Sequence, residues 1–328
     1  MRTILSILAL AIIFSACKKD QDLSNKPATL GDIIEFSSSP FYDTIPASAE
    51  LDPNSSSMVS NLVKEANRGF NVCVKEWTVP VYWADGNTQK SDVKFTRSWA
   101  PKDKLKDVPI PDFAEADPES DGHMVIVDTE NGCVYDFWEM RYKSGRWKAG
   151  WGNALPLSGD GIFPDGFSAR GSGFELLQGV IWPQELIAGE INHALIFSFD
   201  YTRSGGPVSP ATESDGTTDG NSGIPEGALV QLDPNLDLST LDLNSYELTI
   251  ATALQKYGMY CADDGGGLSL YAINPISVST NPYQNIWGDN TYIDMIKIPA
   301  DKFRVLKMSA QLGDTEPEIV SNSCAVYK

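Results

Sequence analysis

The stretch that decides the fold runs from 123 to 138: His123-Met124-Val125-Ile126-Val127-Asp128-Thr129-Glu130-Asn131-Gly132-Cys133-Val134-Tyr135-Asp136-Phe137-Trp138. Two runs of β-branched and aromatic residues flank a short polar connection, and its Asn-Gly dipeptide accepts the positive φ of a tight hairpin turn. The second run continues to Tyr142, and a turn at Ser144-Gly145 leads into Trp147 to Trp151. Outward from this hairpin the same chemistry recurs. Val72 to Trp83 is rich in Val, Trp and Tyr, with Pro80 marking an edge or bulge near its end. Ile191 to Tyr201 alternates cleanly, and Gly258 to Asp263 with Leu268 to Ile273 flank Asp264-Gly265-Gly266-Gly267, which reads as a further hairpin.

Helical signals are few. Met58, Val59, Leu62 and Val63 follow the polar loop Asp52 to Ser55 at helical spacing. Asn244 with Glu247 forms a capping box ahead of Ile250, Leu254 and Tyr257, and Gly258 closes that helix. Residues 204–226 are Gly, Ser, Thr, Asp and Pro in low-complexity order, a long surface loop. Many strands, few short helices and frequent turns define an all-β chain, and the expected architecture is a β-sandwich of the jelly-roll or lectin-like kind.

The N-terminus carries a different message. Arg2 precedes an apolar run, Ile4 to Phe14, that ends in Phe14-Ser15-Ala16-Cys17. A basic start, a short apolar core and small residues before a cysteine make a lipoprotein signal, and the run is too short to span a bilayer, which takes ~20 residues. The expected organisation is a signal peptide over 1–16, a lipidated Cys17 opening a flexible tether over 17–33, and a single β-sandwich domain over 34–328. Lys18 in place of Asp resembles the sorting pattern of outer-membrane lipoproteins, which implies lipid anchoring there on either the periplasmic or the outer side.

The chain has 328 residues and a net charge of -19; after signal removal 24 basic side chains face 44 acidic ones. Such a field repels nucleic acid and anionic headgroups, so the membrane is contacted through the lipid alone. The basic residues are scattered along the sequence, which favours neutral polysaccharide or oligosaccharide partners, or cations, over polyanions. Cys73, Cys133, Cys261 and Cys324 allow three pairings, and one or two disulfides or buried free thiols are the alternatives. No Cys/His spacing resembles a zinc site.

Candidate chemistry centres on the two histidines. His123 follows Asp121 at the start of one strand, and His193 follows Glu190 at the start of another. A histidine at a sandwich edge can titrate near neutral pH, although alternation places His193 with Leu195 and Phe197, as a packed core residue would be. Asp121, Asp128, Asp136 and Glu190 supply carboxylates, and glycoside hydrolysis needs two such groups ~5 to 10 Å apart. His123 is the expected general base and Glu190 the complementary acid. Trp138, Trp147 and Trp151 are candidates for stacking on sugar rings, the last two as surface residues. Calcium is a possible cofactor: Asp160-Gly161, Asp165-Gly166 and Asp215 to Asn221 place oxygens on loops, where ordinary turn chemistry is the simpler explanation.

Three phrases stand out together: Asp121-Gly122-His123 with Asp136-Phe137-Trp138, Ala188-Gly189-Glu190-Ile191-Asn192-His193-Ala194-Leu195, and Ala253-Leu254-Gln255-Lys256-Tyr257-Gly258-Met259-Tyr260. In combination they resemble a family of secreted bacterial proteins often joined to carbohydrate-related modules, over most of residues 39–307. The resemblance implies one domain and a site around His123 and His193, and it names no reaction. The expected function is therefore an outer-membrane lipoprotein acting on polysaccharide as a hydrolase or lyase; the alternatives are a non-catalytic glycan binder and a structural envelope protein.

Overall fold

The computed structural model describes residues 25–100, 104–164, 167–313 and 322–326. The segment read as a signal, with Cys17 and the residues up to 24, lies outside these. The first half of the chain forms α1 (Ser55–Ala66), β1 (Phe70–Cys73), β2 (Val81–Ala84), β3 (Lys90–Phe95), β4 (Lys104–Pro109), β5 (Met124–Asp128), β6 (Cys133–Trp138), β7 (Arg141–Lys143), β8 (Arg146–Ala149) and β9 (Trp151–Pro156). The second half adds α2 (Pro183–Ala188), β10 (Leu195–Phe199), β11 (Leu229–Leu232), α3 (Ser245–Lys256), β12 (Met259–Asp264), β13 (Leu268–Tyr271), β14 (Tyr292–Asp294) and β15 (Phe303–Val305).

Mostly-β, as its patterning requires, the protein assembles these strands into three open sheets that pack as a β-sandwich. The first is ordered β14-β1-β13-β10-β12-β11-β15, the second β2-β5-β6-β9 and the third β4-β3-β8-β7. Alternation along single strands shows the layering. On β5, Val125 and Val127 join the core shared with the first sheet, while Met124 and Ile126 join the core shared with the third. The second sheet is thus buried on both faces, which is why β5 and β6 read as near-continuous apolar runs. The outer face of the first sheet is covered by Met58 and Leu62 of α1 and Ile250 and Leu254 of α3.

Local signals produce local structure. The β5–β6 hairpin closes on Asp128, whose carboxylate accepts from the Glu130 and Asn131 amides and from Asn131 Nδ2. Ser144 and Gly145, both at positive φ, turn β7 into β8. Asn244 and Glu247 form the expected capping box on α3. One expected hairpin is not formed: β12 and β13 do not pair, because β10 lies between them, parallel to β12 and antiparallel to β13. The glycines of 265–267 therefore carry the chain past the end of an intervening strand. The described part of the segment read as tether also lies against the fold, with Lys26 donating to Ile276 O and Leu30 and Ile33 packed on the second core.

Among the described residues one disulfide, Cys133–Cys324, joins residues 191 apart and holds the C-terminal segment on the third core; Cys73 and Cys261 are buried thiols. Asn322 Nδ2 donates to Ala154 O beside it. Replacing both bridged cysteines by serine is expected to cost about 2–4 kcal/mol, read as a lower urea midpoint, with no such loss on adding reductant to the double variant. No helix among the described residues is long and apolar enough to cross a membrane.

Candidate functional site

Three regions of the fold gather chemistry, and the deepest lies between the first and second sheets. On β6, Tyr135 and Phe137 face the third core and Val134 the second, so Asp136 between them points toward the first sheet. Its Oδ2 accepts from the Leu176 amide at 2.9 Å, and Glu175 Oε2 accepts from the Leu177 amide at 2.7 Å. The remaining oxygens, Asp136 Oδ1 and Glu175 Oε1, have no donor, although the two carboxyls are hydrogen-bond neighbours. One proton shared between them satisfies both. Burial raises Asp136 to about 6, and Glu175 is driven well above the usual carboxylate range by burial and by the Asp136 charge.

Arg170 is the cation of this region. Nη2 donates to Leu176 O at 3.1 Å and the guanidinium lies 5.5 Å from the Tyr271 ring centroid, while Nε and Nη1 have no hydrogen-bond acceptor. Its charge acts on Asp136, Glu175, Asp263 and His123 alike. His123 is only 7% exposed. Burial, reinforced by Arg170 and opposed by Asp121, lowers it to about 4. At neutral pH it is therefore an uncharged imidazole.

Toward solvent the cluster becomes purely acidic. Asp263, near the end of β12, meets Asp215 and Glu226 from the 204–226 loop, with one oxygen of each within 4.8 Å of the others. Glu226 is fully buried and Asp215 exposed. Burial and the Asp215 charge raise Asp263 to about 8. Asp160 instead spends Oδ1 on the Ile162 amide, a turn role, and Asp165-Gly166 falls outside the described residues.

His193 stands in a second region, at the opposite end of β10. Nε2 lies 2.9 Å from Glu185 Oε1 and Nδ1 2.9 Å from Ala194 O. Burial alone would lower its pKa; the Glu185 carboxylate outweighs burial and raises it. Both nitrogens are engaged, and Glu185 Oε2 also accepts the Trp182 amide at the start of α2. This pair therefore ties α2 to β10, beside a cavity of about 360 Å³ also lined by Glu190 and Tyr42. His193 and Glu190 are separated from Asp263 by the length of β10, roughly 16 Å at ~3.3 Å per residue.

The third region is an open trough of about 840 Å³ on the third sheet. Val93, Phe95, Trp147 and Ala149 face inward to the third core, so alternation turns Lys94, Arg146 and Lys148 outward. Register aligns Lys94 with Lys148, and Lys143 with Arg146. With Lys90 they place five cations along the trough against Asp92 and Asp112, and Tyr142 and Trp147 supply aromatic edges. None of the five is ion-paired among the described residues, whereas Lys106 is held by Asp92 at 2.7 Å. The positive residues that look scattered in the sequence are gathered by the sheet.

The expected tryptophans divide accordingly. Trp147 edges the trough but is mostly buried. Trp151, expected at the surface, is 1% exposed, because it packs edge-on to Phe167 and donates to Phe167 O. Trp138 is half-buried, with the Arg97 guanidinium 4.6 Å from its ring centroid. Trp99, which carried no sequence signal, is 57% exposed and stacks on Trp138 at 6.5 Å, just past the end of β3. Asp121 and Asp136 thus share the His123 region, and Glu190 shares that of His193. Arg170, Glu175 and Glu226 come from loops without periodicity, so only the fold reveals them. No protein-family profile, no characterised protein and no solved structure matches the chain.

Proposed function

We propose that this protein is a lipid-anchored outer-membrane protein that binds an acidic polysaccharide along the trough of its third sheet. The observation that carries the reading is the five-cation, aromatic-edged trough on a chain whose net charge is -19. Carboxylate or sulfate groups of a glycan would pair with the row of Lys and Arg, and sugar faces would stack on Tyr142 at the trough's edge. The lipoprotein signal and the resemblance to secreted carbohydrate-associated proteins support the same reading from the sequence.

Binding is favoured over cleavage. His123 and Glu190, the base and acid expected from sequence, belong to different regions, and His123 is buried and hard to protonate. Incubation of the full chain with uronate-bearing and sulfated polysaccharides, followed by mass spectrometry, is expected to return the chains intact while Tyr142→Ala weakens retention about tenfold. Shortened chains, with an unsaturated end or with added water, would replace this reading by a lyase or a hydrolase.

A further inference from the structure

We propose that Asp215, Glu226 and Asp263 form a calcium site. The inference is independent of the trough, which lies on another sheet. The three carboxylates come from two separate segments, yet one oxygen of each lies within 4.8 Å of the others. Oxygens bound to one ion at 2.3–2.6 Å are separated by no more than about 5 Å, which matches calcium coordination.

Two further observations point to a ligand. Glu226 is 0% exposed and its Oε1 has no hydrogen-bond partner, while Oε2 receives the Asp215 amide at 3.0 Å. A buried carboxylate oxygen without a donor costs more than a kcal/mol-scale hydrogen bond is worth, and a cation satisfies it directly. Beside it, Gly171 leaves a cradle: a Cβ there would stand 2.8 Å from Asp215 Cγ. The backbone at 171 thus makes room for that carboxylate at the mouth of the cluster, and Asp215 Oδ1 is oriented by the Asp264 amide at 3.2 Å.

The donor set names the metal class. All three ligands are hard oxygens with no sulfur or imidazole, which excludes a zinc preference and suits calcium or magnesium. Exposed Asp215 leaves one side open to water ligands, and ligands on a long loop tolerate the irregular geometry of calcium better than the strict octahedron of magnesium.

Calorimetric titration of the chelator-treated full chain with calcium chloride tests the site. The expected result is one saturable event with a dissociation constant of about 10⁻⁴–10⁻³ M, as for extracellular modules, and a rise in melting temperature. Magnesium should bind more weakly, Glu226→Gln and Asp263→Asn should each abolish both signals, and Asp160→Asn should leave them intact. Should Glu226→Gln fail to fold by circular dichroism, Asp263→Asn decides. No heat and no melting shift up to about 10 mM, above that affinity range, calcium binding unchanged in the folded variants, or tighter binding of magnesium would each overturn the assignment.

Discussion

Reversing Lys94 and Lys148 to glutamate is expected to abolish retention of the protein by an acidic polysaccharide while leaving its melting temperature nearly unchanged. The two lysines are cross-strand neighbours on β3 and β8 and project from the outer face of the third sheet. Wild type offers five cations against two carboxylates in the trough; the double variant offers three against four. On a chain of net charge -19 nothing elsewhere compensates, so the local field changes sign. Each exposed charge pair is worth at most about 1 kcal/mol, but reversal substitutes repulsion for attraction at two positions, and a combined loss near 3 kcal/mol is about 100-fold in affinity. Wild-type binding should also weaken as salt rises, since the trough is open to solvent. Surface substitutions away from the core change stability by only about 0.5 kcal/mol. A variant that melts normally and binds normally would remove the trough from the account.

The second large effect concerns stability and pH. Asp136 and Glu175 are both raised, so in the folded protein they hold protons that the unfolded chain has already released. Between the ordinary carboxylate value and the raised one, the folded state binds more protons, and stability falls as pH rises. For Asp136, raised from 3.8 to about 6, the loss is on the order of 3 kcal/mol and is complete near neutrality. Glu175 extends the decline to higher pH. His123 acts with the opposite sign: lowered to about 4, it contributes stability above its unfolded value near 6.5 and loses it as pH falls through that window. Above pH 6.5 His123 is neutral in both states; the raised His193 and the raised Asp263 and Glu226 share the downward slope there with Glu175, so the difference between a Glu175 variant and wild type isolates the Glu175 part. Glu175→Gln keeps a donor toward Asp136 without a titrating proton. Its melting temperature, followed from pH 6.5 to 9, should run flatter than that of wild type and lie above it at the alkaline end; parallel curves would show that the two carboxyls do not share a proton.

What could be read from the sequence was whatever neighbours in the chain decide. The β5–β6 hairpin follows from Asn131-Gly132, the β7–β8 turn from Ser144-Gly145, and α3 from Asn244 and Glu247, each within a few residues. Parallel pairs were invisible, because β1 with β13 and β2 with β5 join strands with no turn between them. The Asp264 to Gly267 turn misleads for the same reason: its local chemistry is that of a hairpin, and only the placement of β10 shows that its strands are kept apart. For the sites, His123, Asp121 and Asp136 were legible by residue type, while Arg170, whose charge reaches His123 and Asp136, sits in an aperiodic, glycine-containing stretch. The trough did leave a trace. Asp92-Val93-Lys94-Phe95 and Arg146-Trp147-Lys148-Ala149 alternate charge with apolar bulk, and that alternation marks a strand with one charged face.

Affinity electrophoresis of the full chain, through gels containing uronate-bearing, sulfated or neutral polysaccharide at low and high salt, tests the central claim most directly. Retardation by the acidic polymers alone, relieved by salt, is the predicted result. Free migration in every gel, or equal retardation by the neutral polymer, would contradict it.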